Sequence, residues 1–233
     1  MKSEKPKALT EVLSKPMLQW IIDSVRESEI EDICVVTGSK REYIDSYLSA
    51  LPYSVNTAFQ PVRLGTGHAV MMARDFIASC GGDVLVLGAD APFINKNTIT
   101  RAYEQHKEQN NAVTVISAVI DEPFGYGRIV RKNGGLLKIA EQKNATDEEK
   151  LIKEINSGAY WFSCSDLLSV LDSIKTNSVT GEYYLTDAIS LLIESGKNAN
   201  AYISDDPDVI LGANDPEQLE QLNRIAKQKF KID

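Results

Sequence analysis

The sequence predicts a doubly wound α/β fold with a mixed sheet, and three observations carry that prediction. Strand-sized apolar runs alternate with segments of helical periodicity over residues 1–120. Several of those runs stop at glycine or at a carboxylate, as in Val36-Thr37-Gly38 and Leu87-Gly88-Ala89-Asp90. In an open α/β sheet this carboxyl edge is where ligands bind. After Gly125 the pattern changes, and Asn133-Gly134-Gly135 between two apolar runs is a strong hairpin signal.

The elements follow in order. Residues 16–29 read as a helix, with Pro16 in its first turn and Met17, Trp20, Ile21 and Val25 on one face. Ile30–Thr37 reads as a strand, Lys40–Ser49 as a helix and Ser54–Phe59 as a short strand. Gly65–Ser79 is expected to be one helix opened by glycines. Asp83–Leu87, with four apolar residues out of five, is expected to be a fully buried strand. Asn95–Gln109 is a helix capped by Asn95 or Asn97, and Ala112–Val119 a second buried strand. Arg128–Arg131 and Leu136–Ala140 form the hairpin. Strands at Ile155–Phe162 and Ala199–Ile203 alternate with helices at Ser165–Ile174 and Leu185–Ser195, the latter with Thr186 as a candidate cap. Asp215-Pro216-Glu217 starts a last helix that ends near Phe230. This organisation is that of one domain, residues 1–233, with a strand-helix half over 1–120, a hairpin-rich half over 121–212 and a C-terminal helix over 213–233.

Composition narrows the function classes. The net charge of −8 argues against a nucleic-acid partner, which needs a basic face. No apolar run is long enough to span a bilayer, and the N-terminus lacks the apolar core of a secretory signal. Cys34, Cys80 and Cys164 are odd in number and lack metal-ligand spacing, so buried free thiols in a reducing cytoplasm are expected.

Four stretches carry candidate chemistry. Leu64-Gly65-Thr66-Gly67-His68 stands between a strand and a helix, where glycines admit a ligand to the backbone or simply make a tight turn. From spacing alone its ligand would be a phosphate or a flat heterocycle, and His68 reads as a packing or capping residue. Asp90 ends an apolar strand before Ala91-Pro92, where a carboxylate either holds Mg²⁺ alongside phosphate or caps the next turn. Asn214, before Asp215-Pro216, either serves the same ion or caps the helix. Gly125-Tyr126-Gly127-Arg128, Glu141 and Asn156 supply polar groups at strand ends, suited to sugar hydroxyls or to plain surface polarity. No nucleophile stands beside a base, and the chain has two histidines. A reaction driven by positioning and a metal ion, with the substrate as nucleophile, is the chemistry such a set allows.

Taken together, Pro6-Lys7, Gln60 with Leu64–Ala69, Asp90-Ala91-Pro92, Gly125–Arg128, Glu154–Gly158, Gly181–Asp187 and Asn214 resemble the sugar-nucleotide pyrophosphorylases. Within them, the resemblance is to the uridylyltransferase domain of bacterial bifunctional N-acetylglucosamine-1-phosphate uridylyltransferases. It implies a Rossmann-like nucleotidyltransferase fold. It also implies formation of UDP-N-acetylglucosamine and pyrophosphate from UTP and N-acetylglucosamine-1-phosphate, a peptidoglycan precursor step. By the same resemblance Lys7 would bind phosphate, Gln60, Gly65 and Thr66 would hold uracil, and Gly88 and Ala89 would line the substrate. Asp90 and Asn214 would bind Mg²⁺, and Gly127, Glu141 and Asn156 would bind the acetylated sugar. Two alternatives stay open: another sugar-1-phosphate or nucleoside triphosphate, or a chain that binds nucleotide without turnover.

The sequence departs from the family in two places. A Tyr-Gly-Asp before the metal is Gly88-Ala89-Asp90 here. The family also opens with a strand and a Leu-Ala-Ala-Gly-x-Gly-Thr-Arg-Met loop around the triphosphate, and Met1-Lys2-Ser3 aligns with the end of that loop. The expectations are that the first central strand is absent from the sequence as given and that Met1 is an internal methionine of a longer frame. After Phe230 no acetyltransferase repeats follow, so acetyl transfer is not expected.

Overall fold

A computed structural model describes residues 6–213 and 215–230. A 3₁₀ turn at Lys7–Leu9 leads into a small hairpin, β1 (Glu11–Val12) and β2 (Lys15–Pro16). Pro16 then ushers in α1 (Met17–Glu27), whose Met17, Leu18, Ile21, Ile22 and Val25 form a buried stripe. The strand expected from Ile30 is confined to β3 (Cys34–Thr37), followed by α2 (Arg41–Ser49) and β4 (Asn56–Phe59). The single helix expected at Gly65–Ser79 is two: α3 (Thr66–Met72) and α4 (Arg74–Cys80) meet at Ala73, whose φ of −92° and ψ of 10° break the run.

β5 (Asp83–Val86) precedes α5 (Lys96–Glu108), which Asn95 caps by accepting the Thr98 N–H at 3.0 Å. β6 (Val113–Val119) follows. β7 (Arg128–Lys132) and β8 (Gly135–Ala140) form the expected hairpin, turning on Asn133 and Gly134 at φ 52° and 85°. A short α6 (Asp147–Lys150) closed by a Thr146–Glu149 capping box had no clear apolar signal in the sequence. β9 (Glu154–Ser163), α7 (Cys164–Leu171), α8 (Leu185–Glu194), β10 (Ala199–Ile203) and α9 (Pro216–Phe230) complete the order.

The main sheet runs β10-β6-β9-β7-β8, with β5 also pairing β9. β10 and β6 are parallel, while β9 runs antiparallel to β5, β6 and β7. The sheet is therefore mixed, and the ten residues of β9 tie both halves together. Alternation on β6 and β9 serves two layers. Val113, Val115, Tyr160 and Phe162 pack with Val70, Ile77, Leu167 and Ile189 from α3, α4, α7 and α8. Ile116, Ala118, Ile155 and Trp161 pack instead with Ile21, Ile99 and Ala102 from α1 and α5. The hairpin is anchored to its neighbours by Arg131, which reaches Glu154 at 2.6 and 2.8 Å and donates to the Ala201 carbonyl at 2.9 Å.

β3 and β4 pair in parallel as a separate two-stranded sheet. β5 was expected to be fully buried, yet all four of its residues are only half-buried. The reason is topological: β5 has β9 on one edge, and among the described residues no strand on the other. Between β5 and β3 runs a cavity of about 810 Å³ lined by Cys34, Val36, Leu85, Ile77, Ile21 and Tyr160 among others. The cysteines differ from expectation as well: Cys164 is buried, Cys34 half-buried and Cys80 exposed, although all three are free thiols.

Candidate active site

The carboxyl ends of β4 and β5 and the ends of the β7–β8 hairpin gather three groups of polar residues. At the end of β5, the Lys7 ammonium contacts Asp90 Oδ2 at 2.6 Å, joining residues 83 positions apart. About half of the Asp90 side chain stays exposed, and Oδ1 lies 3.1 Å from where a Cβ on Gly88 would stand. A side chain at 88 would therefore crowd the carboxylate. A Cβ on Gly212 would meet the Asp90 carbonyl at 2.7 Å, so the segment before α9 passes directly against Asp90. Asn214, expected to share a metal with Asp90, lies outside the described residues.

The second group is the glycine loop before α3. Gln60 Nε2 donates to the Gly65 carbonyl at 3.1 Å and contacts His68 Nδ1 at 3.0 Å, and the His68 ring stacks on Tyr183. The loop is zipped to the entry of α8. Tyr183 N–H donates to Leu64 O at 2.7 Å, Gly67 N–H to Tyr183 O at 2.8 Å, and Leu185 N–H to Thr66 Oγ1 at 3.0 Å. Gly65 has φ of +93°, and a Cβ there would stand 2.5 Å from Tyr183 O. The glycine at 65 thus admits the Tyr183 backbone to the loop. The cap of α8 is corrected, since the hydroxyl that receives its first N–H belongs to Thr66, not Thr186. Glycine at 65 and threonine at 66 are thus required to hold the loop before any ligand is considered.

The third group surrounds Gly127. A Cβ there would meet Ile139 Cγ2 at 2.9 Å and the Glu141 carboxylate at 3.5 Å, so the backbone lies hard against Glu141. The Gly127 carbonyl accepts the Asn156 N–H at 2.9 Å. Asn156 Nδ2 donates to the Tyr160 hydroxyl at 2.8 Å, and its Oδ1 accepts the Gly158 N–H at 3.0 Å. Burial raises the Glu141 carboxyl above its ordinary value, the Asp187 charge adds to this, and a hydrogen bond from Thr186 partly offsets it. Burial likewise raises Asp187. The Tyr160 phenol is pushed up to about 12, chiefly by burial.

Segment 181–187 joins the second and third groups, because its middle bonds to the glycine loop and its end meets Glu141. Thr66, Gly88, Ala89 and Tyr160 also line the cavity beside β5.

A family model for nucleotidyl transferases matches residues 2–209. The chain belongs to the nucleotidyl transferase family. It is 45% identical over 230 residues to the bifunctional protein GlmU of Fervidobacterium nodosum, with 99% of this chain and 48% of that protein covered. Against the protein of the same name from Acetivibrio thermocellus the identity is 42% over 231 residues, covering 99% and 50%. The chain thus spans about half the length of these curated relatives. Among solved structures, apo UDP-glucose pyrophosphorylase matches with a TM-score of 0.78 at 16% identity, over 97% of this chain and 91% of that one. That likeness shows a shared fold.

For a nucleotidyl transferase, the donor set at Asp90 is compatible with a divalent cation. Mg²⁺ sites completed by substrate phosphates use one or two protein carboxylates and keep several waters. Asp90 offers one half-exposed carboxylate beside a glycine and a lysine. Among the described residues no cluster of three acidic, histidine or cysteine side chains could cage a metal by itself.

Tyr160 escaped sequence reasoning as a site candidate, since it looked like one more aromatic in an apolar strand, while Asp187 and Arg128 entered it only as the ends of the stretches Gly181–Asp187 and Gly125–Arg128. Arg128 is 2% exposed, with Nη2 donating to Gln142 at 2.8 Å and Nη1 to the Tyr126 carbonyl. Gln142 also accepts the Gly125 N–H at 3.1 Å, so this buried guanidinium helps fix the loop that carries Gly127. Its proximity to two glycines was the available signal.

Proposed function

We propose that this nucleotidyl transferase joins UTP to N-acetylglucosamine-1-phosphate, releasing pyrophosphate, as a cytoplasmic enzyme dependent on Mg²⁺. The observation that carries the reading is the continuity of the glycine loop and the Gly127–Glu141 group through segment 181–187, which bonds to Leu64, Thr66 and Gly67 and meets Glu141. The identities to the GlmU proteins and the motif resemblance support it.

In this reading an oxygen of the sugar phosphate attacks the α-phosphorus of UTP. The bond from that phosphorus to the β-phosphate bridge breaks, and pyrophosphate leaves with the electron pair. No proton needs to move, so catalysis is alignment plus charge neutralisation. Gln60 and the loop of Gly65 and Thr66 would bind the uracil edge. Gly88 and Ala89, lacking bulky side chains, would leave room for the phosphates. Lys7 would exchange its contact with Asp90 for one with phosphate oxygen. Asp90 and Asn214 would hold Mg²⁺, which supplies positive charge against the phosphates. The Gly127 backbone, Glu141 and Asn156 would read the amide and hydroxyls of the sugar, where unpaired buried polar groups penalise the wrong substrate.

The test is a pyrophosphate-release assay with UTP and N-acetylglucosamine-1-phosphate, with and without Mg²⁺, run beside glucose-1-phosphate. Mg²⁺-dependent turnover favouring the acetylated sugar, reduced about 100-fold or more in Asp90→Asn, is the expected result. Equal or better turnover with glucose-1-phosphate would overturn the sugar assignment.

A further inference from the structure

The chemistry of its neighbours fixes which way the Gln60 amide faces. The backbone of Gln60, just past β4, is held by its N–H, which donates to Thr37 O at 2.7 Å. Its side chain folds toward the glycine loop, where Nε2 lies 3.1 Å from the Gly65 carbonyl oxygen. A carbonyl only accepts, so the amide must present its NH₂ there and not its oxygen. The same Nε2 lies 3.0 Å from His68 Nδ1. With the NH₂ donating to both neighbours, Nδ1 must offer a lone pair, and the proton of neutral His68 sits on Nε2. The Gln60 Oε1 is left over, and it accepts no hydrogen bond among the described residues.

Both acceptors of that NH₂ are themselves held. The Gly65 carbonyl also accepts the Ala69 N–H at 3.1 Å, the first bond of α3. The His68 ring stacks on Tyr183 with centroids 6.0 Å apart. The Tyr183 backbone is in turn bonded to Leu64 and Gly67 at 2.7 and 2.8 Å. Flipping the amide would set Oε1 against the Gly65 oxygen and the His68 lone pair, so two hydrogen bonds would become two repulsive contacts. Gln60 therefore turns an acceptor, and no donor, toward whatever binds beside it.

We propose that His68 is a positioning residue for base selection: it locks the Gln60 amide so that the site takes a heterocycle with a ring N–H donor, as in uracil or thymine, and rejects one with a ring-nitrogen acceptor, as in cytosine. This role rests on the proposed uridylyl-transfer reading, to which it adds a residue and a rule of selection. Uracil meets Oε1 with its N3–H. Cytosine meets it with the N3 lone pair, which leaves two acceptors facing each other without a proton between them. His68 touches no part of the nucleotide in this scheme and acts through Gln60 alone.

The 233-residue chain and its His68→Asn and His68→Leu variants are titrated calorimetrically with UDP and with CDP. Asparagine sets a carbonyl oxygen near where Nδ1 stands in histidine, so it keeps the acceptor, whereas leucine removes it. The wild type is expected to bind UDP at least about ten-fold tighter than CDP. That preference should stay within about three-fold of wild type in His68→Asn and fall to about two-fold or less in His68→Leu, as the freed amide turns. A merely structural role would weaken both nucleotides alike in His68→Leu. The preference would then be unchanged, which would overturn this proposal and leave the uridylyl-transfer reading standing. Loss of the preference in His68→Asn would also overturn it, because the acceptor is retained. Equal binding of UDP and CDP by the wild type, or binding of neither, would overturn the uracil reading and this proposal with it. Nitrogen NMR of the free wild type, with labelled histidine, needs neither ligand nor a folded His68→Leu variant. It should show neutral His68 protonated at Nε2, told apart from His106 by the His68→Asn spectrum. Protonation of neutral His68 at Nδ1 would overturn the lock whatever the variants do.

Discussion

Glu141 shows how a proposed sugar-binding position carries a cost in stability. Its carboxyl sits against Gly127 and near Asp187, and burial followed by that neighbouring charge raises its pKa. A carboxyl whose folded-state pKa lies above the unfolded value binds more protons in the native state. Its contribution is therefore most favourable below the unfolded value and declines as pH rises through the raised folded value. Asp187, raised in the same direction, acts alike. Glu141→Gln should flatten the fall in melting temperature between about pH 4 and pH 7 and raise stability at neutral pH, while impairing use of the amino sugar. Thermal melts across that range check the first outcome, and a steeper pH slope in the variant would contradict it. Asp90 and Glu141 could both be picked from the sequence, because each carboxylate terminates an apolar strand. Tyr160 could not, because its partner Asn156 lies across the β-bulge that shifts the register between Ile116 and Ser117 of the neighbouring strand, and a turn at Gly158 with φ of +80° brings the two together.

At the scale of elements, the α3 loop and the α8 entry behave as one unit. Each lends the other hydrogen bonds across more than a hundred residues of chain, including the Thr66 hydroxyl that receives the first N–H of α8. Gly65 is the position where this unit tolerates no side chain, for reasons of φ and of the Tyr183 carbonyl. Gly65→Ala should cost about 2 kcal/mol and lower the melting temperature by roughly 4–8 °C, with a circular-dichroism melt as the check. An unchanged melt would mean that the loop and the α8 entry separate without penalty. The pattern Gly65-Thr66-Gly67 marks a special turn, but the close approach it serves is long-range. The hairpin, in contrast, was legible residue by residue, because a two-residue turn and its register are set locally by Asn133 and Gly134.

At the scale of the whole molecule, the cavity beside β5 sets where the sheet is weakly held. The edges of β3 and β5 that border it pair with no strand among the described residues, so their backbone N–H and C=O groups lack ladder partners there. Native-state hydrogen exchange should show this directly. The amides of Cys34, Val36 and Leu85 should exchange at least about a hundred-fold faster than those of Val115 and Ile116, which lie in a strand paired on both sides. Comparable protection at both places would mean that the edges of β3 and β5 are already satisfied.

By itself the sequence determined the class of fold, most of the strand and helix order from residue 16 onward, the hairpin turn and the strand-end residues from which a site can be built. All of these follow from periodicity and turn chemistry, which act over a few neighbouring residues. Only the tertiary structure decided that β9 unites both halves of the sheet, that Lys7 meets Asp90, that Gly65 yields to Tyr183 and that β5 stands beside an open slot. Those features depend on which edges and loops meet across long stretches of chain, and contacts of that separation leave no periodic trace in the residues that make them.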